Sequence, residues 1–132
     1  MVYVLDTNII IHLMRGTAAI KANRDKAIAV GSRFVIPAVV NYEVMRGLLI
    51  KAIPKHDRIY ASLRSICSLE SVTDLVWNRA AGIYAELYSK RFTVADADIL
   101  IAAFCLVNGY TLVTDNVDDF KNVDGLDLVN WV

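Results

Sequence analysis

The sequence predicts an α/β domain, a three-layer α/β/α sandwich built around a mainly parallel sheet. Three observations carry this prediction. Short apolar runs alternate with longer helical patterns, which is typical of parallel sheets. The first run, Val2–Leu5, is apolar without alternation, as expected of a strand covered on both faces. The 132 residues correspond to one ordinary domain, 1–132, with no linker or internal repeat.

In the first half of the chain, helix caps and breakers divide the apolar pattern into elements. Asp6-Thr7-Asn8 supplies capping residues directly after the first strand, and Gly31-Ser32 ends the helical stretch that follows. Pro37 stops the second strand, and Pro54 interrupts the helix after it. The predicted elements are the strand Val2–Leu5, a helix from Ile9 to Met14 that continues to about Val30, the strand Arg33–Ile36, and the helices Val39–Ile50 and Asp57–Ile66.

In the second half, the same signals delimit two helices and three short strands. Thr73 or Asp74 caps the first helix. The second helix begins at Asp96 or Asp98, is apolar on most sides, and is closed by Asn108-Gly109 as a C-cap. The predicted elements are the strand Cys67–Val72, a helix to about Ser89, a helix to Val107, the strand Tyr110–Val113, a loop over residues 114–119 and the strand Leu126–Val129.

Composition excludes several classes of protein. Hydrophobic residues make up 56% of the chain and the mean hydropathy is +0.43, which provides a large core and excludes intrinsic disorder. No apolar run reaches the roughly 18–20 residues that a membrane-spanning helix needs, and the N-terminus lacks the basic region of a signal peptide. Cys67 and Cys105 lie in apolar runs and are expected to be buried free thiols, which fits a cytoplasmic protein.

Charge is balanced overall but unevenly distributed. Lys and Arg together number 14, as do Asp and Glu, so net charge does not indicate a strongly basic nucleic-acid-binding domain. The segment from Arg46 to Arg64 carries five basic residues and one acidic residue, whereas that from Asp115 to Asp127 carries five acidic residues and one basic residue. The fold therefore presents either a basic surface beside an acidic pocket or two solvated charged faces.

Four acidic positions are expected at one edge of the sheet. Asp6 directly follows the first strand, and Asp115 with Asn116 follows the strand Tyr110–Val113. Asp98 begins an apolar helix, and Glu43 lies in the first turns of another. Because the carboxyl ends of parallel strands meet at one edge, these side chains are predicted to converge. The simpler alternatives are helix caps at Asp6 and Asp98, a surface residue at Glu43 and a solvated turn at Asp115.

Carboxylates that converge in this way need a partner. A pair about 4 Å apart repels by roughly 4 kcal/mol at an effective dielectric of 20, so the cluster must protonate or hold a cation. Oxygen ligands without His or Cys select Mg²⁺ or Mn²⁺ over Zn²⁺. His12 is expected to be a packed or partly exposed helix residue and not a ligand. Without a Walker loop or a G-x-S-x-G elbow, hydrolysis of a phosphodiester by metal-activated water fits best.

Four motifs occur in an order that is familiar from one family. They are V-L-D-T-N-I-I-I at the start, V-V-N-Y-E-V-M-R-G around Glu43, D-A-D-I-L-I-A-A around Asp98, and L-V-T-D-N-V-D-D-F before a closing G-L-D-L-V-N-W. Together they resemble a PIN domain, specifically the VapC ribonuclease toxins of toxin–antitoxin pairs. The resemblance spans nearly the whole chain. It implies a compact sandwich that binds Mg²⁺ or Mn²⁺ through three near-invariant acids and a variable fourth, and that cuts RNA, often tRNA or ribosomal RNA.

Carried onto this sequence, the resemblance makes Asp6, Glu43 and Asp98 the three acids. Asp6 and Asp98 are then the main metal ligands, and Glu43 positions or deprotonates the attacking water. The family pattern T-x-[DN] places the fourth group at Asn116, with Asp115 directly before it. Both are therefore predicted to lie near the metal.

Other residues take supporting roles in this interpretation. Asp119 is an alternative for the fourth position, and Asp96 is expected to be a cap or a supporting group because residues two apart do not share a helix face. Thr7 or Asn8 matches the small polar residue of the family, and Arg46 is a candidate for phosphate contact or for pairing with a nearby glutamate. Candidates for an RNA-binding rim, with solubility as the competing explanation, are Arg15, Lys51, Lys55, Arg58, Lys90 and Arg91.

The resemblance also implies partners, namely an RNA substrate, a second copy of the chain in a homodimer, and a cognate antitoxin whose C-terminal tail occupies a groove beside the active site. No membrane partner is expected. An antitoxin arginine entering the acids is the electrostatically obvious inhibitor. Two alternatives stay open: a PIN-like nuclease acting on DNA or in RNA processing without an antitoxin, and a non-catalytic binding domain. The short chain favours the toxin, and a binding domain needs no self-repelling acids.

Overall fold

The computed structural model describes residues 1–132 and contains a five-stranded sheet flanked by helices. The strands are β1 (Val2–Leu5), β2 (Arg33–Pro37), β3 (Cys67–Glu70), β4 (Thr111–Val113) and β5 (Leu128–Val129). Their order is β3-β2-β1-β4-β5, and all four neighbouring pairs are parallel. The prediction of an α/β fold with a parallel sheet is confirmed.

Seven helices connect the strands. They are α1 (Thr7–Arg15), α2 (Ala18–Ala29), α3 (Ala38–Lys51), α4 (Pro54–Ile66), α5 (Asp74–Ser89), α6 (Asp96–Asn108) and α7 (Val117–Phe120). Helix α1 packs against α3 and α4, while α5 packs mainly against α6. Parallel crossovers are right-handed, so the connections from β1 to β3 cover one face of the sheet and the return to β4 covers the other. These are the three layers that the sequence predicts.

The middle strand, β1, is where the candidate site begins. Its Val4 pairs with Val35 on one side and with Leu112 on the other, and all three are fully buried. The chain runs outward from β1 through β2 to β3 and then returns to β4 on the other side of β1, so the direction of winding changes between β1 and β4. In such sheets, ligands bind at the carboxyl ends of the two strands at this point. The two buried polar residues of the chain, Asp6 and Thr114, lie at these two strand ends, whereas the 31 buried apolar residues form one cluster.

The helical stretch predicted to run to Val30 is divided in two, which the sequence pattern did not indicate. Gly16 ends α1 with a left-handed φ of 77°, and nothing lies within 4 Å of a Cβ built there. Its N–H donates to the Leu13 carbonyl at 3.1 Å, and the Thr17 N–H donates to the His12 carbonyl at 3.0 Å. This turn lets α2 start in a new direction, and it is the reason a glycine occupies the position.

Two further predictions of element bounds were wrong. The helix predicted over Asp57–Ile66 begins at Pro54, because proline is favoured in the first helical position, where its missing N–H costs nothing. The loop predicted over residues 114–119 contains α7, whose Phe120 is fully buried and anchors the turn to the core. The predicted caps at Thr73 and Gly109 are confirmed.

Strand β3 ends at Glu70, two residues before the predicted end, and β5 consists of two residues only. The two cysteines are unpaired, with Cys105 buried and Cys67 half-buried. No helix combines the length and the apolar character that crossing a bilayer requires.

Candidate active site

Asp6 is held in one orientation at the end of β1. It is the N-cap of α1, and its side chain is 3% exposed. Its Oδ1 accepts a hydrogen bond from the Thr7 N–H at 2.8 Å. Its Oδ2 accepts from the Thr114 hydroxyl at 2.8 Å and from the Asn8 amide at 3.3 Å. Three donors from two chain segments thus fix this carboxylate before any ligand arrives.

Thr114, at the end of β4, connects this carboxylate to the rest of the strand edge. It is fully buried, and its hydroxyl oxygen also accepts the Asn116 N–H at 3.0 Å. The side-chain amide oxygen Oδ1 of Asn8 accepts the Asp115 N–H at 3.4 Å, a long hydrogen bond. The start of α1 and the segment after β4 are therefore joined by side-chain hydrogen bonds as well as by the parallel pairing of β1 with β4.

Glu43 is brought to the same place by Thr7. The Thr7 hydroxyl donates to Glu43 Oε1 at 2.8 Å, while the Thr7 N–H is bound to Asp6. The other carboxylate oxygen of Glu43 lies 3.6 Å from the Arg46 guanidinium, which also lies over the Tyr42 ring with its carbon 5.2 Å from the ring centre. One residue thus bridges two of the three predicted acids, and Arg46 has the glutamate pairing that was its alternative role.

Asp98 lies half-buried in the first turn of α6. Burial is the largest cause that raises its pKa, to about 6, and the negative charges of Asp6, Asp119 and Glu43 raise it further. Burial likewise raises the pKa of Asp6, against the opposing effect of its hydrogen bonds, and the charges of Glu43 and Asp115 add to the rise. These five carboxyl groups act on one another electrostatically, and we refer to them as the acid cluster.

The acid cluster has the chemistry of a site for a hard divalent cation. Its donors are all carboxylate oxygens, which Mg²⁺ and Mn²⁺ prefer. Burial is the largest cause of the raised pKa values of Asp6 and Asp98, and the charges of neighbouring carboxylates add to it, so a bound cation would relieve an electrostatic cost here. No three carboxylate, imidazole or thiolate groups stand close enough to enclose an ion in the present side-chain arrangement. The donor set fits such a cation, and closure around it requires side chains to move.

Three neighbouring residues were predicted as candidates for the fourth acidic position. Asp115 acts on Asp6, whereas Asp119 acts on Asp98. Asn116 is exposed, and its amide donates to the Asp119 carboxylate. All three residues predicted as candidates for this position therefore lie at the end of β4, where Asp115 is the one that is half-buried and Asp119 is exposed.

His12 contacts the cluster, which the sequence did not predict. Its Nε2 lies 2.6 Å from Asp115 Oδ2, and its Nδ1 lies 3.1 Å from the Thr17 hydroxyl. The expectation of a partly exposed helix residue holds for its burial but misses this contact. A signal was present, because His12 follows Asn8 by four residues and residues four apart share a helix face. Both side chains reach Asp115.

Most of the predicted basic rim lies on grooves beside α1. Arg15 and Lys51 line one groove together with Glu43, and Lys55 and Arg58 line a second groove between α1, α2 and α4. Lys90 instead pairs with Glu86 and Asp124, at the far end of α5. The exposed Arg91 beside it shares this location, so neither is brought to the acids.

Asp96 does not cap α6 as one of its predicted roles would require. Ala95 occupies the N-cap position without a side-chain hydrogen bond, and Asp96 is exposed as the first helical residue. It is absent from the charges that act on Asp98, in agreement with residues two apart pointing in different directions.

Comparison with known proteins places this arrangement in a family. The sequence profile of the PIN domain matches residues 3–126. Ribonuclease VapC1 of Rickettsia felis is 31% identical over 130 residues, which is 96% of this chain and 93% of the relative. Ribonuclease VapC1 of Haemophilus influenzae R2866 is 29% identical over 137 residues, covering 99% and 98% of the two chains.

Solved structures with the same fold include two toxin–antitoxin complexes. VapBC2 of Rickettsia felis, bound to a DNA fragment from its promoter, has a chain that is 24% identical, with full coverage of both chains and a TM-score of 0.91. A chain of VapBC-1 from nontypeable Haemophilus influenzae is also 24% identical, covers 99% of this chain and 98% of its own, and has a TM-score of 0.84. At this identity the likeness establishes the fold.

Proposed function

The chain belongs to the PIN domain family and, within it, to the VapC ribonucleases, and from this premise we propose how it acts. It is an endoribonuclease, and we propose that it hydrolyses RNA phosphodiester bonds with Mg²⁺ or Mn²⁺ as the toxin of a type II toxin–antitoxin system. The observation that carries the proposal is the buried Asp6, whose carboxyl is affected by the charge of Glu43 and whose own charge acts on Asp98. We place residues 1–132 in one PIN domain, since the apolar core forms one cluster.

In the proposed reaction, Asp6 and Asp98 are the residues that would hold the cation. When bound, a divalent cation neutralises charge on phosphate oxygens and lowers the pKa of water. Glu43 accepts the proton of the attacking water, and its orientation is set by the Thr7 hydroxyl at 2.8 Å. Attack on phosphorus breaks the bond to the 3′ oxygen, which takes up a proton from solvent. The products therefore carry a 5′-phosphate and a 3′-hydroxyl, and the ribose 2′-hydroxyl takes no part.

Substrate binding falls to polar and basic groups around the acid cluster. Asn8 and Thr7 hold the acids and leave little of their surface for direct contact, since both are half-buried. Arg46 is exposed, and its pairing with Glu43 at 3.6 Å is loose enough for the guanidinium to turn to a phosphate. Asn116 and Asp115 complete the polar surface at the end of β4. We propose tRNA or ribosomal RNA as the substrate class, in the cytoplasm.

The proposed partners are a cognate antitoxin and a second copy of this chain. The Rickettsia and Haemophilus relatives of known structure are VapBC complexes, which supports an antitoxin partner here. The two grooves beside α1 combine apolar floors with basic rims, a surface suited to an apolar peptide that carries acidic residues. An antitoxin arginine reaching Glu43 from the first groove would occupy the acid cluster.

Expression in a bacterial host tests the activity. The wild-type chain should arrest growth, and sequencing of RNA 5′ ends after brief induction should show new 5′-phosphate ends at a limited set of sites. Asp6→Ala should abolish both effects. Because Asp6 also caps α1, Asp98→Asn is the matched variant that retains the helix and the side-chain shape. Undiminished toxicity of both variants would rule out catalysis by these acids, and cleavage of DNA alone would favour the alternative nuclease function.

Thermal denaturation tests the cation. Binding to the native state alone raises stability by RT ln(1 + [L]/Kd), so millimolar Mg²⁺ or Mn²⁺ at about 100 times Kd adds about 2.7 kcal/mol. The melting temperature should rise in the wild-type protein and much less in Asp98→Asn. Equal shifts in the two proteins would show that the ion binds elsewhere.

A further inference from the structure

Two hydrogen bonds connect the end of α1 to the acid cluster through a single imidazole ring. The Thr17 hydroxyl lies 3.1 Å from His12 Nδ1, and His12 Nε2 lies 2.6 Å from Asp115 Oδ2. With both ring nitrogens engaged, neither the tilt nor the rotation of the imidazole is free. The two side chains of the His12–Asp115 pair are only 26% and 29% exposed, so water competes poorly for these bonds.

The Thr17 hydroxyl is available for this contact because it does not cap a helix, as a threonine at this position usually does. Thr17 is the N-cap of α2, yet its side chain makes no capping hydrogen bond. Thr73 occupies the same position in α5, and its hydroxyl does accept the Val76 N–H, at 3.4 Å. The turn at Gly16 places the Thr17 hydroxyl beside Nδ1 of His12, five residues earlier in the chain.

His12 is also the one side chain that holds the Asp115 carboxylate. The backbone N–H of Asp115 is bound by Asn8, but its carboxylate oxygens have no hydrogen-bond partner besides the imidazole. Without the imidazole, the Asp115 side chain is free to rotate toward solvent and away from Asp6. The position of its charge relative to Asp6 therefore depends on His12.

The bonding pattern needs no extra proton. In a neutral imidazole, Nε2–H donates to Asp115 Oδ2 and the Thr17 hydroxyl donates to Nδ1, which satisfies all three side chains. Some residues hydrogen-bond to the groups that contact a metal and do not contact it themselves. Removing such a residue commonly lowers activity or metal affinity 10–100-fold.

From these contacts we propose that His12, held by Thr17, is a positioning residue that fixes the Asp115 carboxylate beside Asp6. The proposal rests on the proposed nuclease function. The neighbouring Asn116 and Asp119 are exposed and bind each other, so the imidazole acts on Asp115 alone.

Steady-state cleavage of an RNA oligonucleotide by purified protein tests the proposal. His12→Ala should lower kcat about 10-fold or more with KM for RNA unchanged, because the imidazole faces Asp115 and not the substrate. His12→Gln retains an N–H donor at a similar reach and should restore most of kcat. In an Asp115→Asn background, His12→Ala should have little further effect, because the two residues act as one unit.

Two threonine variants provide a matched control. Thr17→Val loses no capping bond and should leave the melting temperature nearly unchanged while lowering kcat. Thr73→Val loses a capping bond far from the site and should lower the melting temperature while leaving kcat unchanged. A purely structural effect of Thr17 would produce the opposite pattern.

The outcomes separate this proposal from the proposed function. If the wild-type protein cleaves RNA and His12→Ala does so with the same kcat, the positioning role is refuted while the nuclease function stands. A full loss in His12→Ala that persists equally in the Asp115→Asn background, or that His12→Gln does not relieve, also refutes it. If the wild-type protein cleaves no RNA, both proposals are wrong.

Discussion

Neutralising Asp98 should make the cation-free protein more stable while it loses activity. Asp98 carries its charge at pH 7 in a half-buried place, against the charges of Asp6, Asp119 and Glu43, and its pKa is raised to about 6. Asp98→Asn keeps the shape of the side chain and removes the charge. The substitution removes both the charge repulsion and the cost of burying a charge. It also removes a carboxylate that would hold the proposed cation, so activity should be lost.

The size of the effect follows from proton linkage. The pKa of Asp98 is about 6 in the native state against a usual value of 3.8, a difference of about two pH units. At about 1.36 kcal/mol per unit the charged form costs about 3 kcal/mol at pH 7. Solvent screening at a half-exposed group reduces this to about 1–2 kcal/mol. For a domain of this size that is about 4–8 °C in melting temperature.

The pH dependence has a definite sign. Between pH 3.8 and about 6 the native state holds a proton on Asp98 that the unfolded chain has released, so this carboxyl stabilises the fold below that window. That contribution is lost as the pH rises through 6. The wild-type protein should therefore lose stability relative to Asp98→Asn between pH 4 and pH 6, and the two should be equal near pH 4.

Thermal or urea denaturation in EDTA at pH 4, 5, 6 and 7 measures the difference directly. Asp96→Asn is the control, since it removes an exposed carboxylate from the same helix terminus and should show no such gain. An Asp98→Asn protein that is no more stable than wild type at pH 7, or one whose advantage is the same at all four values, would refute the reasoning.

Three further variants examine how the site is supported. Thr114→Val removes a fully buried hydroxyl that donates to Asp6 at 2.8 Å and should lower the free energy of unfolding by about 1–3 kcal/mol in urea; an unchanged midpoint would contradict it. Gly16→Ala adds a methyl group in open space at a φ of 77° and should cost about 1 kcal/mol from backbone strain alone, whereas Gly47→Ala in α3 should be neutral or stabilising. Phe120→Ala empties a fully buried site in α7 and should cost about 3–5 kcal/mol by the same measurement; a loss under 1 kcal/mol would show that α7 does not anchor to the core.

The parts of the fold that the sequence predicts are those set by local chemistry. Asp6 after an apolar run, Thr73 before a helix and Gly109 after one are each recognisable from a few neighbouring residues. The contact of His12 with Asp115 spans 103 residues, so no local pattern contains it. It becomes visible only once the pairing of β1 with β4 brings the two segments together.

The fourth acid shows the same limit in another form. Three candidate residues follow β4 within six positions, and only the direction of each side chain distinguishes them. Those directions depend on α7, which is anchored by the buried Phe120. The polar sequence T-D-N-V-D-D does not indicate this helix. Motif spacing therefore locates the position in the chain but does not select the residue.

The placement of β1 in the middle of the sheet bears on when the protein becomes active during its synthesis. Asp6 leaves the ribosome early, but Thr114, whose hydroxyl holds it, is 108 residues later, and one neighbour of β1 is the late strand β4. At about 5–20 residues per second, translation leaves the first acid without its support for about 5–20 s. The nascent chain therefore cannot complete the support of this acid until nearly the whole domain has been translated.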